Sequence, residues 1–216
     1  MKYYPKMLFI IAFAAIPFLA GAQKQIIKDT TSGKIPLLKV AYMGTIIYPG
    51  FKMGMDWPTN SLIVTKTKRH GEKAYVKEKC LGATLSMYYH ENFHTNLFML
   101  AERQWRRISL SGFYTELAPG IGVSRTFLGG TTYQANDAGI VSKKNMAGYT
   151  YAMVSISSGL GYDFRKSAGK PFRVYAAGSV LMMFPYNSYI YIRPTVEIGF
   201  ITNFSLFQKK YMASHE

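Results

Sequence analysis

Arg193 and Glu197 stand four residues apart in the stretch YIYIRPTVEIGF (189–200), and opposite charges inside so apolar a run are the first candidates for chemistry. On a strand that spacing puts both on one face. Two carboxylates brought together, such as Glu116 and Glu197, could serve as an acid–base pair, and a row of such groups could carry protons or ions. The same residues could instead form a charged, hydrogen-bonded filling. An unpaired buried ion is costly, so partners for Arg193 and Glu197 are expected among Glu116, Asp163, Arg173, Tyr175 and each other. Glu116, Asp163, Arg173, Arg193 and Glu197 are therefore grouped as a candidate charge network.

Other reactive residue types are sparse. HENFH sets His90, Glu91 and His94 close together, types that bind metals or activate hydroxyls. The H-E-x-x-H spacing is missing and the stretch reads as a turn, so exposed turn histidines are expected, with no metal and no cofactor. GGTTYQANDAG is rich in glycine but has neither the lysine nor the strand–helix setting of a phosphate loop; it reads as an exposed loop. Cys80 is the only cysteine, which excludes an internal disulfide and reads as a small apolar filler rather than a nucleophile. No catalytic residue is expected.

The elements that must hold these residues are strands. The chain opens with a positive n-region (Lys2, Lys6), an apolar run from Met7 to Leu19 and the small residues AGA, the layout of a signal peptide, residues 1–22, cut after Ala22. The apolar run is shorter than the ~20 residues of a spanning helix. Residues 23–39 read as a flexible lead. The formal charge of +15 points to anionic partners, and export favours lipid headgroups or wall polymers over nucleic acid. From residue 40 on, short runs of Val, Ile, Tyr, Phe and Thr alternate with polar residues in a period of two. In 189–200 the even positions are Ile, Ile, Pro, Val, Ile and Phe, and the odd ones carry Tyr, Arg, Thr, Glu and Gly. In 152–163, Ala152, Val154, Ile156 and Leu160 oppose Met153, Ser155, Ser157, Gly159 and Asp163.

Such strands build either a soluble barrel or sandwich with its apolar face inward, or a membrane barrel with that face toward lipid. The polar face decides. It is made of Gly, Ser, Thr and Tyr with few charges, which suits a narrow interior better than a water-facing surface. The fold class is therefore all-β: a closed antiparallel up-and-down transmembrane β-barrel of eight strands, at about 40–56, 60–69, 74–90, 94–107, 112–127, 148–163, 171–184 and 188–203. With both ends in the periplasm, the 129–148 loop falls outside. HGEK, SLSG and RKSAGK become periplasmic turns, with basic clusters (Lys66, Lys68, Arg69, Lys73; Arg103, Arg106, Arg107; Arg165, Lys166, Lys170) at that rim. Pro119 and Pro194 fit the strands poorly. Because small barrels fill their interior with side chains, the charge network is read as a plug in preference to a path or an active site.

The exported all-β chain and PTVEIGFITNF near its end resemble the small outer-membrane β-barrels of Gram-negative bacteria, the OmpA/OmpX-type group. The resemblance covers roughly residues 40–204 and leaves 205–216 as a C-terminal tail. It implies an outer-membrane location, with outer-membrane lipids and the barrel-assembly machinery as partners; a monomer is expected, and the Thr, Tyr, Gln, Asn and Asp of the 129–148 loop could bind an extracellular ligand. Some lipid-A acylases and deacylases use this scaffold with a His beside Ser or Asp at the outer rim. That makes a lipid-modifying enzyme one alternative and a soluble periplasmic ligand-binding barrel another.

Overall fold

The computed structural model describes residues 24–28, 35–45, 48–68, 71–91, 93–137, 139–186 and 189–203. The expected signal peptide (1–22) and the expected tail (205–216) lie outside them. The strands are β1 (Lys24–Lys28), β2 (Leu37–Thr45), β3 (Tyr48–Lys68), β4 (Gly71–His90), β5 (His94–Ser109), β6 (Phe113–Leu128), β7 (Thr132–Ala135), β8 (Val141–Lys144), β9 (Gly148–Asp163), β10 (Phe172–Tyr186) and β11 (Tyr189–Asn203). A four-residue helix, α1 (Phe164–Ser167), joins β9 to β10.

Eight of these strands form a ring in the order β3-β2-β11-β10-β9-β6-β5-β4, and pairing of β3 with β4 closes it. Every contact is antiparallel between neighbours in the ring, so the protein is a closed up-and-down barrel. One end holds Leu37, Asn203 and the tight turn at Gly112, whose φ of 96° suits a residue without Cβ; we call it the terminal end. The far end holds the connections at 46–47, 91–93, 129–147 and 187–188.

The count of eight stands, but the first two strands are divided differently from the sequence expectation. Residues 40–56 are not one strand: β2 ends at Thr45, and β3 runs back from Tyr48 through Pro58 to Lys68. The expected break near 57–59 is a bulge, a register shift between Pro58 and Asn60 that keeps β3 paired with β4. Lys24–Lys28, in the expected lead, pairs with Leu62–Lys66 of β3 beyond the end of β2. The first ring strand, β2, begins at Leu37.

Both awkward prolines sit where a ladder bond is already missing. Pro194 pairs with Val180 on one side, while β2 reaches β11 only from Val196 onward. Pro119 pairs with Ile156, while the β5–β6 ladder skips from Glu102–Gly120 to Trp105–Leu117. The lost N–H therefore disrupts nothing.

The two-residue alternation sorts inside from outside. Ile192, Val196, Ile198 and Phe200 are exposed on the outer wall with Ile121, Ile156, Leu160 and Val174. Thr195, Glu197, Ser155, Ser157 and Asp163 are buried inside. Tyr88 and Tyr114 point inward and are buried. Exposed aromatics stand toward both ends, among them Tyr89, Phe93 and Tyr189 at the far end and Trp57, Trp105 and Phe113 toward the terminal end.

Candidate functional site: the charged interior

The inward row of β5 is a ruler for the interior. From the terminal end it reads Ile108, Arg106, Gln104, Glu102, Leu100 and Phe98, all buried. Arg106 is the hub. Its guanidinium donates to Glu116, Asp56 and Gln104 Oε1, lies 3.4 Å from Cys80 Sγ and 3.8 Å from Glu78. Gln104 Nε2 donates to Asp56 at 2.7 Å, so one carboxylate takes two partners.

Around this hub the ion pairs run continuously. Arg173 donates to Glu78 at 2.6 Å and to Asp163 at 2.9 Å. Lys39 reaches Glu116 at 3.3 Å and Glu197 at 3.9 Å, with its ammonium 4.6 Å from the Tyr175 ring centre. Lys52 bridges Glu102 at 3.1 Å and Glu197 at 3.2 Å. Arg165, within α1 at the rim, closes on Asp163 at 2.8 Å. All eight ring strands contribute a member. Four buried cations face six buried carboxylates, which tightens each pair in a low-dielectric interior and makes any deletion expensive.

Small residues make room for these long ones. A Cβ on Gly82 would come within 2.6 Å of Gln104 Nε2 and 2.8 Å of Asp56 Oδ1. One on Gly161 would meet the Tyr114 ring at 2.3 Å. Toward the far end the charges give way to an apolar cluster of Met43, Tyr88, Phe98, Leu100, Tyr151, Met153, Leu181 and Met183.

The structure places Glu116, Asp163, Arg173 and Glu197 in this one network. Arg193 stands apart: among the described residues no ion pair joins it to Glu197 or to any other carboxylate, and its Nη2 donates to the Tyr191 hydroxyl at 3.1 Å. Glu116 and Glu197 both serve Lys39 rather than each other. Arg106, assigned to the rim, lies in the interior, because 103, 106 and 107 alternate between faces; Arg103 and Arg107 do face out. Sequence reasoning missed Lys39, Lys52, Asp56, Glu78, Glu102, Gln104 and Arg106. A signal was present: six of the 11 acidic residues lie inside the expected strands, on the parity of the Ser, Thr and Gly rows.

His90 and His94 are cross-strand partners with ring centres 5.2 Å apart. His90 stacks on Tyr48 at 3.8 Å, and its Nδ1 lies 3.0 Å from the Glu91 carbonyl oxygen. Ser86 is buried in the barrel interior. Among the described residues no group of three His, Cys, Asp or Glu is placed to hold a metal ion. The expected loop at 129–148 contains an exposed hairpin, β7 with β8, turned at Asn136–Ile140.

The class these features define is the closed eight-stranded β-barrel with an oily outside and an ionic inside. No family model matches the chain, and no curated protein does. One solved structure it resembles is the crystal structure of Neisserial surface protein A, at 11% identity and a TM-score of 0.41, covering 86% of this chain and 100% of that one. The barrel assignment for this chain comes from its own strand register.

Proposed function

We propose that this chain is an integral outer-membrane β-barrel, exported by its signal peptide, with an interior closed by the ionic network. Its role in this reading is structural or interactive, through the 129–148 segment. The observation that carries the proposal is the outer wall. Ile121, Leu160 and Ile198 expose 67%, 68% and 64% of their surface, within a belt of large apolar side chains around the ring. A water-soluble monomer rarely exposes a contiguous apolar patch beyond a few hundred Å². Hydrocarbon is the solvent that such a belt fits, and closure of the ring satisfies the backbone within it.

The remaining features agree. Strands of 15 or 16 residues in β5, β6, β9, β10 and β11 exceed the about 9–11 needed to cross a bilayer. Exposed Lys77, Lys79, Arg103 and Arg107 lie on the outer wall toward the terminal end, where cationic tips can reach anionic headgroups. Arg107 sits 4.1 Å from the Tyr75 ring centre. The terminal end is the periplasmic one in this reading, and the β7–β8 hairpin stands outside the cell. Outer-membrane lipids and the barrel-assembly machinery are its partners, the chain acts as a monomer, and we assign it no reaction.

The deciding experiment is membrane fractionation with a carbonate wash, followed by gels of heated and unheated samples. The chain should stay with the membrane pellet and change mobility on boiling. Release into the soluble fraction would end the proposal and favour the periplasmic binding barrel.

A further inference from the structure

At the far mouth, beyond the apolar cluster, lies a cavity of about 270 Å³. Its lining includes Tyr88, His94, Tyr149, Tyr151, Tyr191 and Arg193, and no carboxylate among the described residues. Tyr149, at the lip, is exposed, so the space opens to solvent there.

Arg193 is the unusual member. Lys39, Lys52, Arg106 and Arg173 each meet carboxylates deeper in the barrel. The Arg193 guanidinium instead lies 4.4 Å from the Tyr88 ring centre and 5.0 Å from that of Tyr191. Its Nη2 has the Tyr191 hydroxyl, but its Nη1 is cut off from water with no acceptor among the described residues. A guanidinium is always charged and has five N–H donors, so this one keeps donor capacity and a positive charge that no carboxylate among the described residues meets. The Asn96 amide, which could turn toward it, is held by Thr126 and Ser124 at 2.9 Å each.

We propose that this mouth binds an acidic sugar of single-ring size, its carboxylate against the Arg193 guanidinium and its ring against the tyrosines. The charge follows from a cation without a counter-ion. The body follows from the walls: tyrosine faces take the C–H side of a sugar ring, and their hydroxyls take its oxygens. The size follows from the volume, which lies just below the usual range for drug-sized ligands. The site uses the barrel wall and is independent of any role for the β7–β8 hairpin.

The test uses the full chain folded in detergent, titrated calorimetrically with sodium glucuronate, glucose and glucose 6-phosphate. Octyl glucuronide in the micelle presents the same acid as a headgroup. Glucuronate should bind one to one and glucose at least tenfold more weakly. Arg193→Gln should weaken glucuronate at least tenfold while keeping the folded gel band, and Arg193→Lys should recover part of the loss. Preference for octyl glucuronide over the free acid identifies a membrane-borne ligand, and the reverse a soluble one; both support the site. Equal binding of glucose, tighter binding of glucose 6-phosphate, an unaffected Arg193→Gln variant or no binding at all would overturn it. The folded band is scored in the same sample, so failure to bind is distinct from failure to form a barrel.

Discussion

Arg106 and Glu116 face each other directly across the β5–β6 pair and are joined side chain to side chain, ten residues apart along the hairpin. Both are buried, and each has further partners of opposite charge: Asp56 for Arg106 and Lys39 for Glu116. The pair links the two halves of the interior network, because Lys39 continues to Glu197 and Lys52 while Arg106 continues to Glu78 and Arg173.

Truncating the hub should therefore be costly out of proportion to its size. Arg106→Met leaves Asp56 and Glu116 without their main cation, and breaking a buried pair from one side costs about 3–5 kcal/mol. Urea titration of the folded band in detergent measures it. Arg103→Met, on the outer face of the same strand, should stay within about 0.5 kcal/mol of the parent. The double variant Arg106→Met with Glu116→Gln should lose less than the sum of its parts, since the two residues share one network.

The outer wall gives the sharper contrast between lipid and water. Ile156 lies midway along β9, and Ile156→Lys should destabilise the barrel by about 2–4 kcal/mol if hydrocarbon surrounds it. On a water-facing wall the same change would fall within about 0.5 kcal/mol. Its neighbour Ser155 is buried inside with a hydroxyl that has no hydrogen-bond partner among the described residues, so Ser155→Ala should be neutral or stabilising. Refolding into lipid vesicles with a urea gradient reads both.

This parity rule carried most of what the sequence could say. Rows such as Ser155–Ser157–Gly159 mark a narrow interior, because only small side chains leave room for long ones opposite. The errors have local causes. The connection at 46–47 lies in TIIYPG, with no Asn-Gly or Asp-Gly to mark a tight hairpin, so β2 and the start of β3 were joined. Pro58 then read as a break, although a bulge carries the strand through it. Lys39, Lys52 and Asp56 were lost with that register, since a strand whose ends are wrong gives no face to its charges. Arg106 was lost to a count by adjacency: Arg106 and Arg107 are neighbours in sequence and on opposite walls of the barrel. Arg193 shares a face with Glu197, which groups the two in the sequence, but Thr195 separates them and the Arg193 guanidinium lies over the Tyr88 ring.

The direction of insertion is readable with a protease. Lys143 and Lys144 are exposed in β8, on a hairpin that projects from the far end. Trypsin added to intact cells should cut there and leave the two barrel fragments associated in an unheated gel. Cleavage seen only after the outer membrane is permeabilised would reverse the orientation.

Ion passage is the last test of the interior. Gly82 has no room even for a methyl group, and a Cβ on Gly120 would sit 2.7 Å from Ser155 Oγ and 3.0 Å from Glu102 Cγ. Neither contact leaves width for a hydrated ion, and the charges that could shed its water are already engaged with one another. Beyond them Phe98, Leu100 and Met153 add an apolar layer. Purified barrel in a planar bilayer should therefore show no discrete conductance steps. Regular steps that track protein concentration would mean that the Lys52–Glu102 and Arg106–Glu116 pairs open together. In that case the network would be a gated path rather than a filling.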